Sequence, residues 1–293
     1  MTSVQQGTLH LAGASIFYRS CGRGLPLLIL AGGDADADAT DPLRDALAER
    51  YRVITYDRRG LSRSRIDPGG RAPDIATHAE DAHLLLAALT DEPAYLFGTS
   101  LGGLIGLELV TRHPEQVRML VAHEVPTRDL LAEAEAEALA AFQQEILEAF
   151  HRHGVAAAMQ VSAELAGLDP EDREPQIAPA AMTPARERNL AFLFGSDAPQ
   201  VMAYRLDIPA IDVQARKIVP AAGRSSGRTL LHSSAVALAQ MLERPLAEFP
   251  GGHTGWLLRP KAFAGRLIEV FVRAEPRDRR LGDGVGRGLD GSG

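Results

Sequence analysis

A serine, a glutamate and a histidine, far apart in the chain, have the residue types and surroundings that activate a hydroxyl group. Ser100 lies in the stretch LFGTSLGG, between an apolar run and a helix-like run. Glu124 lies in LVAHEVP and His253 in EFPGGHTGW, each after a strand-like run. A serine hydroxyl is a poor nucleophile near neutral pH, so it needs a base, and the base needs an orienting acid. The three residues therefore predict nucleophilic catalysis by Ser100.

The glycines on both sides of Ser100 indicate a sharp turn from a strand into a helix. The pattern G-x-S-x-G, with Gly98 and Gly102, is that of the nucleophile elbow, which lifts a serine hydroxyl clear of a sheet. The alternative is an ordinary turn, since glycine and serine are common turn residues. The strand signal before Ser100 and the helix signal after it favour the elbow.

His253 is the predicted base, because it follows a strand and two glycines late in the chain. In open α/β sheets such loops at the carboxyl ends of strands carry the site. His232, the other late histidine, belongs to the start of a predicted helix. His113, His151 and His153 lie near predicted helix ends, where positive character suits the helix dipole.

The position of the acid departs from the common pattern. The carboxylate is usual in a G-x-x-D stretch after the strand RKIVPAAG, but here Ser226 occupies that place. Glu124 ends the strand that follows the elbow helix, on the same edge of the predicted sheet, and is the predicted acid. The alternatives are that Glu124 is a solvated loop residue, or that Asp212, before RKIVPAAG, folds back as the acid.

Two backbone N–H groups are predicted to form the oxyanion hole, those of Leu101 and Gly33. A plain glycine turn at Gly33 is the alternative. An apolar substrate pocket is predicted between the sheet edge and the helices that follow it, and each aromatic contact could instead be ordinary core. The predicted substrate contacts are Gly32, Phe192, Phe194, Tyr204 and Trp256. No charged residue stands out as a clamp, so a neutral, mainly apolar substrate is expected.

Alternating strand and helix signals predict a mostly parallel sheet with helices on both faces. The strands are predicted in GTLHLAG, ASIFYRS, LPLLILAGG, YRVITYD, PAYLF, VRMLVAHEVP, RKIVPAAG and PLAEFPGG. The helices between them are predicted over 41–50, 77–89, 101–112, 231–242 and 260–272. Helices without clear strands are predicted over 129–154, 155–165 and 184–194.

The interruption of the alternating strand and helix signals by helices alone predicts the domain organisation. Residues 126–209 are expected to form a helical cap inserted into a core domain of residues 1–125 and 210–274. Residues 275–293 are rich in Gly, Arg and Asp and almost free of apolar residues, so a disordered tail is expected there.

Composition excludes several classes of function. The chain has 293 residues, 45% of them hydrophobic and 24% charged, as in soluble globular proteins. A net charge of −7 with interspersed signs argues against a nucleic-acid partner. Cys21 is the only cysteine, so no intrachain disulfide or cysteine metal cluster exists, and no metal or cofactor is predicted. Without a signal peptide or a membrane-spanning run, a cytoplasmic protein without a membrane partner is expected, and a homodimer is left open.

Residues 7–273 resemble the α/β-hydrolase superfamily, through LILAGG, YDRRGLSRS, GTSLG and FPGGHTG in that order. Within it, GTSLG, AHEVPT and FPGGH are similar to the zearalenone-lactone hydrolases. That family uses a serine, a glutamate in an H-E-x-P stretch after the sixth strand, and a late histidine, which match Ser100, Glu124 and His253. The resemblance implies the α/β-hydrolase fold and a serine hydrolase that cleaves a carboxylic ester or lactone through an acyl-enzyme. An acyl transferase, a lyase, a cofactor-free oxygenase and a non-catalytic ligand receptor are the alternatives.

Overall fold

Apolar runs of the chain form a nine-stranded sheet in the computed structural model, which describes residues 3–178, 180–227 and 229–274. The strands are β1 (Gln5–Leu11), β2 (Ala14–Cys21), β3 (Pro26–Leu30), β4 (Arg52–Tyr56), β5 (Arg65–Ile66), β6 (Ala94–Thr99), β7 (Val117–His123), β8 (Ile218–Gly223) and β9 (Ala247–Phe249). The predicted tail, residues 275–293, lies outside the described residues.

The order of the strands brings the predicted site to one edge of the sheet. The spatial order is β1-β2-β4-β3-β6-β7-β8-β9, with β5 paired to β2. β2 pairs antiparallel with β1, β4 and β5. The pairs β4–β3, β3–β6, β6–β7, β7–β8 and β8–β9 are all parallel. The predicted mostly parallel sheet is therefore confirmed. The carboxyl ends of neighbouring parallel strands lie side by side, which is where open α/β sheets place their sites.

Helices cover both faces of the sheet and fill the segment between β7 and β8. They are α1 (Asp41–Leu47), α2 (Ile75–Leu89), α3 (Leu101–Arg112), α4 (Glu133–His153), α5 (Val155–Ala166), α6 (Pro184–Phe192), α7 (Ala198–Ala203), α8 (Ile208–Val213), α9 (Leu230–Met241), α10 (Gly255–Leu258) and α11 (Pro260–Ala274). No helix in the described ranges has the length and apolar character needed to cross a bilayer.

The residues between β7 and β8 form helices at boundaries that differ from the predicted ones. We call residues 126–209 the inserted segment. Its first long helix begins at Glu133, not at 129, because a 3₁₀ turn at Arg128–Leu130 precedes it. The predicted helix over 184–194 ends as an α-helix at Phe192 and continues as a π-helical turn, Leu193–Asp197. Inserting a π turn rotates the side chains that follow it relative to a regular helix.

Alternate residues of the central strands divide the core into two layers. In β3, Leu28 and Leu30 pack with α2 and α3 on one face, whereas Leu27 and Ile29 pack with α1 and α11 on the other. This is the period of two expected for a sheet buried on both faces. A third, smaller cluster lies within the inserted segment, around Phe194 and Leu190.

Candidate active site

Ser100 lies at the turn between β6 and α3, in a backbone conformation that is unfavourable for residues with a side chain. Its φ is 53° and its ψ is −126°. Positive φ is rare for a residue other than glycine, and it persists only where the surroundings impose it. A Cβ at Gly102 would overlap the carbonyl oxygen of Leu30, and one at Gly98 would lie 2.7 Å from the carbonyl oxygen of Gly102. The sharp turn therefore depends on the absence of side chains at both glycines.

Glu124 follows β7 directly and lies fully buried at the same edge of the sheet. Its Oε1 accepts a hydrogen bond from the backbone N–H of Gly223, at 2.8 Å. Its Oε2 lies 2.8 Å from Nδ1 of His253. Its φ is 45°, so this residue, like Ser100, is in the left-handed region. The parallel pairing of β7 with β8 places the glutamate beside the end of β8.

The charge of Glu124 is stabilised by its neighbours. Burial alone raises the pKa of this carboxyl, but the His253 hydrogen bond, the His123 and His253 rings and the Gly223 N–H outweigh burial and lower the pKa to about 2. The carboxylate is therefore ionised near neutral pH and accepts a hydrogen bond from the Nδ1–H of His253. That hydrogen bond leaves Nε2 of a neutral His253 with a lone pair, which is what a general base requires.

His253 lies on the loop between β9 and α10, and its side chain is 12% exposed. It lines a cavity of about 300 Å³ that Ser100 also lines. The structure thus brings the predicted base to the cavity of the predicted nucleophile and hydrogen-bonds it to the predicted acid.

The loop after β3 lies directly against the serine turn. A Cβ at Gly32 would lie 2.9 Å from Cβ of Ser100, which is too close for a side chain at position 32. The loop and the turn therefore pack together through the backbone of Gly32. Gly33, with a φ of 59°, and Gly32 both line the cavity, as does Leu101. The N–H groups of the first helical residues have no partner within their own helix, which suits Leu101 to bind a developing negative charge.

Three of the five predicted substrate contacts, all of which the structure describes, line this cavity: Gly32, Phe194 and Trp256. Phe192 does not, because its ring packs against Gly60 in the loop after β4. Tyr204 does not, because its hydroxyl donates a hydrogen bond to Oε2 of Glu108 on α3, at 2.5 Å. The structure therefore places these two side chains away from the cavity that Ser100 lines.

The cavity wall also contains residues that the sequence analysis missed. The apolar ones on the inserted segment include Ile146, Met159, Leu165, Leu190, Leu193 and Val201. They occur at ordinary helical spacing, and such spacing does not distinguish a core face from a cavity face. Asp34 and Arg186 also line the wall, and Nε of Arg186 lies 2.8 Å from Oδ2 of Asp34. Each charge of this pair thus has an opposite charge beside it.

Neither Ser226, at the usual position of the acid, nor Asp212, the alternative acid, places a carboxylate next to His253. Ser226 is buried, and its hydroxyl has no hydrogen-bond partner among the described residues. Asp212 lies exposed on α8. Glu124 is the carboxylate that contacts the histidine.

Comparison with known proteins agrees with this architecture. A family model for the alpha/beta hydrolase fold matches residues 26–255. The hydrolase YraK of Bacillus subtilis is 36% identical over 275 residues, which are 92% of this chain and 97% of YraK.

Two solved structures share the fold at low sequence identity. One is Est816, described as an N-acyl homoserine lactone degrading enzyme, with a TM-score of 0.63, 20% identity, and coverage of 90% of this chain and 99% of Est816. The other is a thermophilic esterase from Thermogutta terrifontis, with a TM-score of 0.66, 17% identity, and coverage of 93% and 100% of the two chains. At these identities the two structures show the fold alone. The family model and YraK carry the assignment: the chain belongs to the alpha/beta hydrolase fold family.

Proposed function

We propose that this chain is a serine hydrolase that cleaves a carboxylic ester or lactone through an acyl-enzyme. In this proposal Ser100 is the nucleophile, His253 the general base and Glu124 the acid that orients the base. The observation that carries the proposal is the 2.8 Å contact between Glu124 Oε2 and His253 Nδ1, at a cavity that Ser100 also lines. Serine, histidine and carboxylate in this arrangement are the parts of a catalytic triad.

The first half of the proposed reaction forms the acyl-enzyme. Oγ of Ser100 attacks the substrate carbonyl carbon while Nε2 of His253 takes the hydroxyl proton. The carbonyl oxygen becomes an oxyanion, which accepts hydrogen bonds from the N–H groups of Gly33 and Leu101. Glu124 stabilises the imidazolium that forms, and its low pKa keeps it charged during this step.

Collapse of the tetrahedral intermediate completes the acyl-enzyme, and attack by water then releases the acid. The tetrahedral intermediate collapses, the C–O bond of the ester breaks, and His253 gives its proton to the leaving alkoxide. Water then attacks the acyl carbon, His253 takes its proton, and the acid leaves as Ser100 regains its hydrogen. With a lactone the alcohol stays attached to the acyl group, so a single hydroxy acid is released.

The cavity supports a neutral and largely apolar substrate. Its wall is formed mainly by aliphatic and aromatic side chains, among them Phe194 and Trp256. The Asp34–Arg186 pair neutralises the charged part of the wall. Est816 is described as degrading a lactone and the Thermogutta terrifontis protein as an esterase, so the fold that this chain shares with them accommodates both substrate classes. We further propose the Ser/Glu/His arrangement of the zearalenone-lactone hydrolases, with the inserted segment as a cap over the cavity.

The experiment that tests this function is covalent labelling of the serine. We expect a fluorophosphonate probe to add one phosphonyl group to the wild-type chain, on Ser100, as measured by intact mass and peptide mapping. Ser100→Ala should remove the label and lower kcat by about 10⁴- to 10⁶-fold. Ser62→Ala is a matched control, because Ser62 also has a positive φ, of 45°, yet bonds to Asp36 instead of lining the cavity.

A panel of esters, lactones and thioesters, followed by mass spectrometry, then separates hydrolysis from acyl transfer or elimination. Labelling at Ser100 together with release of a free acid supports the proposal. Near-normal turnover by Ser100→Ala would refute it. A wild-type chain that binds substrates and forms neither label nor product would be a ligand receptor.

A further inference from the structure

Arg58, in the loop after β4, is a fully buried cation with three partners. Its side chain is 1% exposed. Nη1 donates a hydrogen bond to the carbonyl oxygen of Ala31, at 3.0 Å, and Nη2 donates to that of Gly33, at 2.9 Å. Nη2 also lies 2.7 Å from Oδ2 of Asp197. A planar guanidinium can hold several acceptors in one fixed geometry, which an ammonium group cannot do.

Two of these bonds fix the peptide that carries a proposed oxyanion donor. The Ala31 and Gly33 carbonyls belong to the peptide units on either side of the Gly32–Gly33 unit. The carbonyl oxygen of Gly32 accepts from the N–H of Ala35, at 3.3 Å. In a trans peptide the N–H points opposite to the C=O, so these three bonds together orient the N–H of Gly33. Without them two consecutive glycines would have wide conformational freedom.

The third partner comes from the inserted segment. Asp197 is fully buried, and its Oδ1 lies 3.2 Å from Nε2 of His78 on α2. Burial raises the pKa of Asp197, but Arg58 and His78 outweigh burial and hold that pKa below its usual value. Asp197 ends the π-helical turn Leu193–Asp197. The same turn supplies Leu193 and Phe194 to the cavity wall.

We propose that Arg58 is a positioning residue that orients the oxyanion donor at Gly33, and that Asp197 links this orientation to the packing of the inserted segment. This inference rests on the proposed function. A substrate that packs against Leu193 and Phe194 contacts the turn that holds Arg58 in place. Substrate binding at this turn and stabilisation of the oxyanion are thereby coupled.

The neighbouring arginine provides a matched control. Arg59 is also largely buried, and its Nη2 lies 2.6 Å from Oδ1 of the buried Asp81. Its Nε also donates to Oδ2 of Asp81, at 2.8 Å, and its remaining hydrogen bonds go to the carbonyl oxygen of Ala12, away from the loop after β3. If the ion pair of Arg58 contributed to stability alone, Arg58→Lys and Arg59→Lys would have the same effect on kcat.

The test compares Arg58→Lys, Asp197→Asn and Arg59→Lys with the wild-type chain, using p-nitrophenyl butyrate. We expect Arg58→Lys to lower kcat by about 10²-fold with KM within about threefold, because loss of one oriented oxyanion donor has an effect of this size. A trifluoromethyl ketone, which forms an oxyanion adduct with the serine, should bind the Arg58 variant about 10²-fold more weakly. Asp197→Asn should change kcat in the same direction, and Arg59→Lys should keep kcat while lowering the melting temperature.

Hydrogen exchange supplies a readout that needs no turnover. Amides of residues 31–35 should exchange faster in Arg58→Lys than in the wild type, and those in Arg59→Lys should not. Wild-type kcat and exchange in folded Arg58→Lys, or equal losses of kcat in the two arginine variants, would overturn the inference. If Arg58→Lys does not fold, a wild-type kcat in Asp197→Asn overturns it instead. A wild-type chain without label or turnover contradicts the proposed function, so the two failures are distinguishable.

Discussion

The two carboxylate oxygens of Glu124 bond to different parts of the molecule. One accepts from the backbone of β8 and the other from the ring of His253. The carboxylate is thus held in place by the sheet while it orients the histidine. This is the division of labour expected of a triad acid, which fixes the tautomer and stabilises the imidazolium.

Loss of this charge should damage turnover far more than folding. Glu124→Gln keeps the size of the side chain and removes its charge, so we expect kcat to fall by about 10³- to 10⁴-fold. Asp212→Asn, at the exposed alternative on α8, should leave kcat nearly unchanged. Steady-state kinetics of both variants on one ester, with melting curves, make the comparison. A large loss of kcat in Asp212→Asn, together with a nearly wild-type kcat in Glu124→Gln, would show that Glu124 is not the triad acid.

Much of the candidate site could be predicted from single residues, and the reason is local. Gly98, Ser100 and Gly102 form a motif that predicts the elbow when a strand signal precedes it and a helix signal follows it. The order of the elements then places Glu124 and His253 at the same edge. The role of Arg58 could not be predicted, because YDRRGLSRS does not distinguish the buried arginine that reaches the loop after β3 from its neighbour. That distinction depends on Asp197, which is remote in sequence.

At the scale of elements, α6 and the π-helical turn after it carry two aromatic residues that face different surroundings. Phe192, the last residue of α6, packs on the loop after β4, and Phe194, within the turn, lines the cavity. Both were predicted as substrate contacts from their apolar character within the predicted cap. Which of the two rings faces the cavity depends on how α6 and the turn after it pack on the sheet, and the sequence does not show that packing.

Phe194 should therefore set substrate choice. We expect Phe194→Ala to shift kcat/KM for long-chain relative to short-chain p-nitrophenyl esters by about tenfold or more, as apolar pocket contacts do. Reaction with a small phosphonate probe should change little. Phe192→Ala is the matched control: it should lower the melting temperature through lost packing on Gly60 and keep the chain-length ranking. Equal shifts in ranking for the two variants would show that Phe194 is ordinary core.

The strands were easier to predict than the inserted segment. Buried parallel strands such as β3 and β6 are continuous apolar runs between turn residues, and their short length favours a strand over a helix. β5 has two residues, too few to show any period. The helices of the inserted segment were predicted in outline, but their contacts with the sheet depend on pairs such as Arg58–Asp197 that periodicity does not reveal.

For the molecule as a whole, the buried His123 links stability to pH. Burial, which Glu124 partly opposes, lowers the pKa of His123 from its usual 6.5 to about 4. Between these values the unfolded chain binds a proton that the folded chain does not. The free energy of unfolding therefore contains a contribution that is complete above pH 6.5 and is lost as the pH falls towards 4.

We expect His123→Gln to weaken this dependence. Urea unfolding at several pH values between 7 and 4 measures how the free energy of unfolding depends on pH. The slope should be steeper for the wild type than for His123→Gln, by up to about 1 kcal/mol per pH unit. The same substitution at the exposed His10 is the control and should keep the wild-type slope. Identical slopes for His123→Gln and the wild type would mean that the buried ring is protonated in the folded chain.

Two proposed members of the triad, Ser100 and Glu124, have φ angles of 53° and 45°. A conformation of this kind costs on the order of 1–3 kcal/mol for a residue with a side chain, and glycine adopts it freely. Heat tolerance and turnover are thus opposed at Ser100, whereas the two hydrogen bonds of the buried Glu124 carboxylate offset its strain. Directed evolution that selects survivors of heating alone would favour glycine at Ser100, and would yield more stable chains without a nucleophile. A screen for thermostable variants of this protein must therefore select on product formed after the heat step.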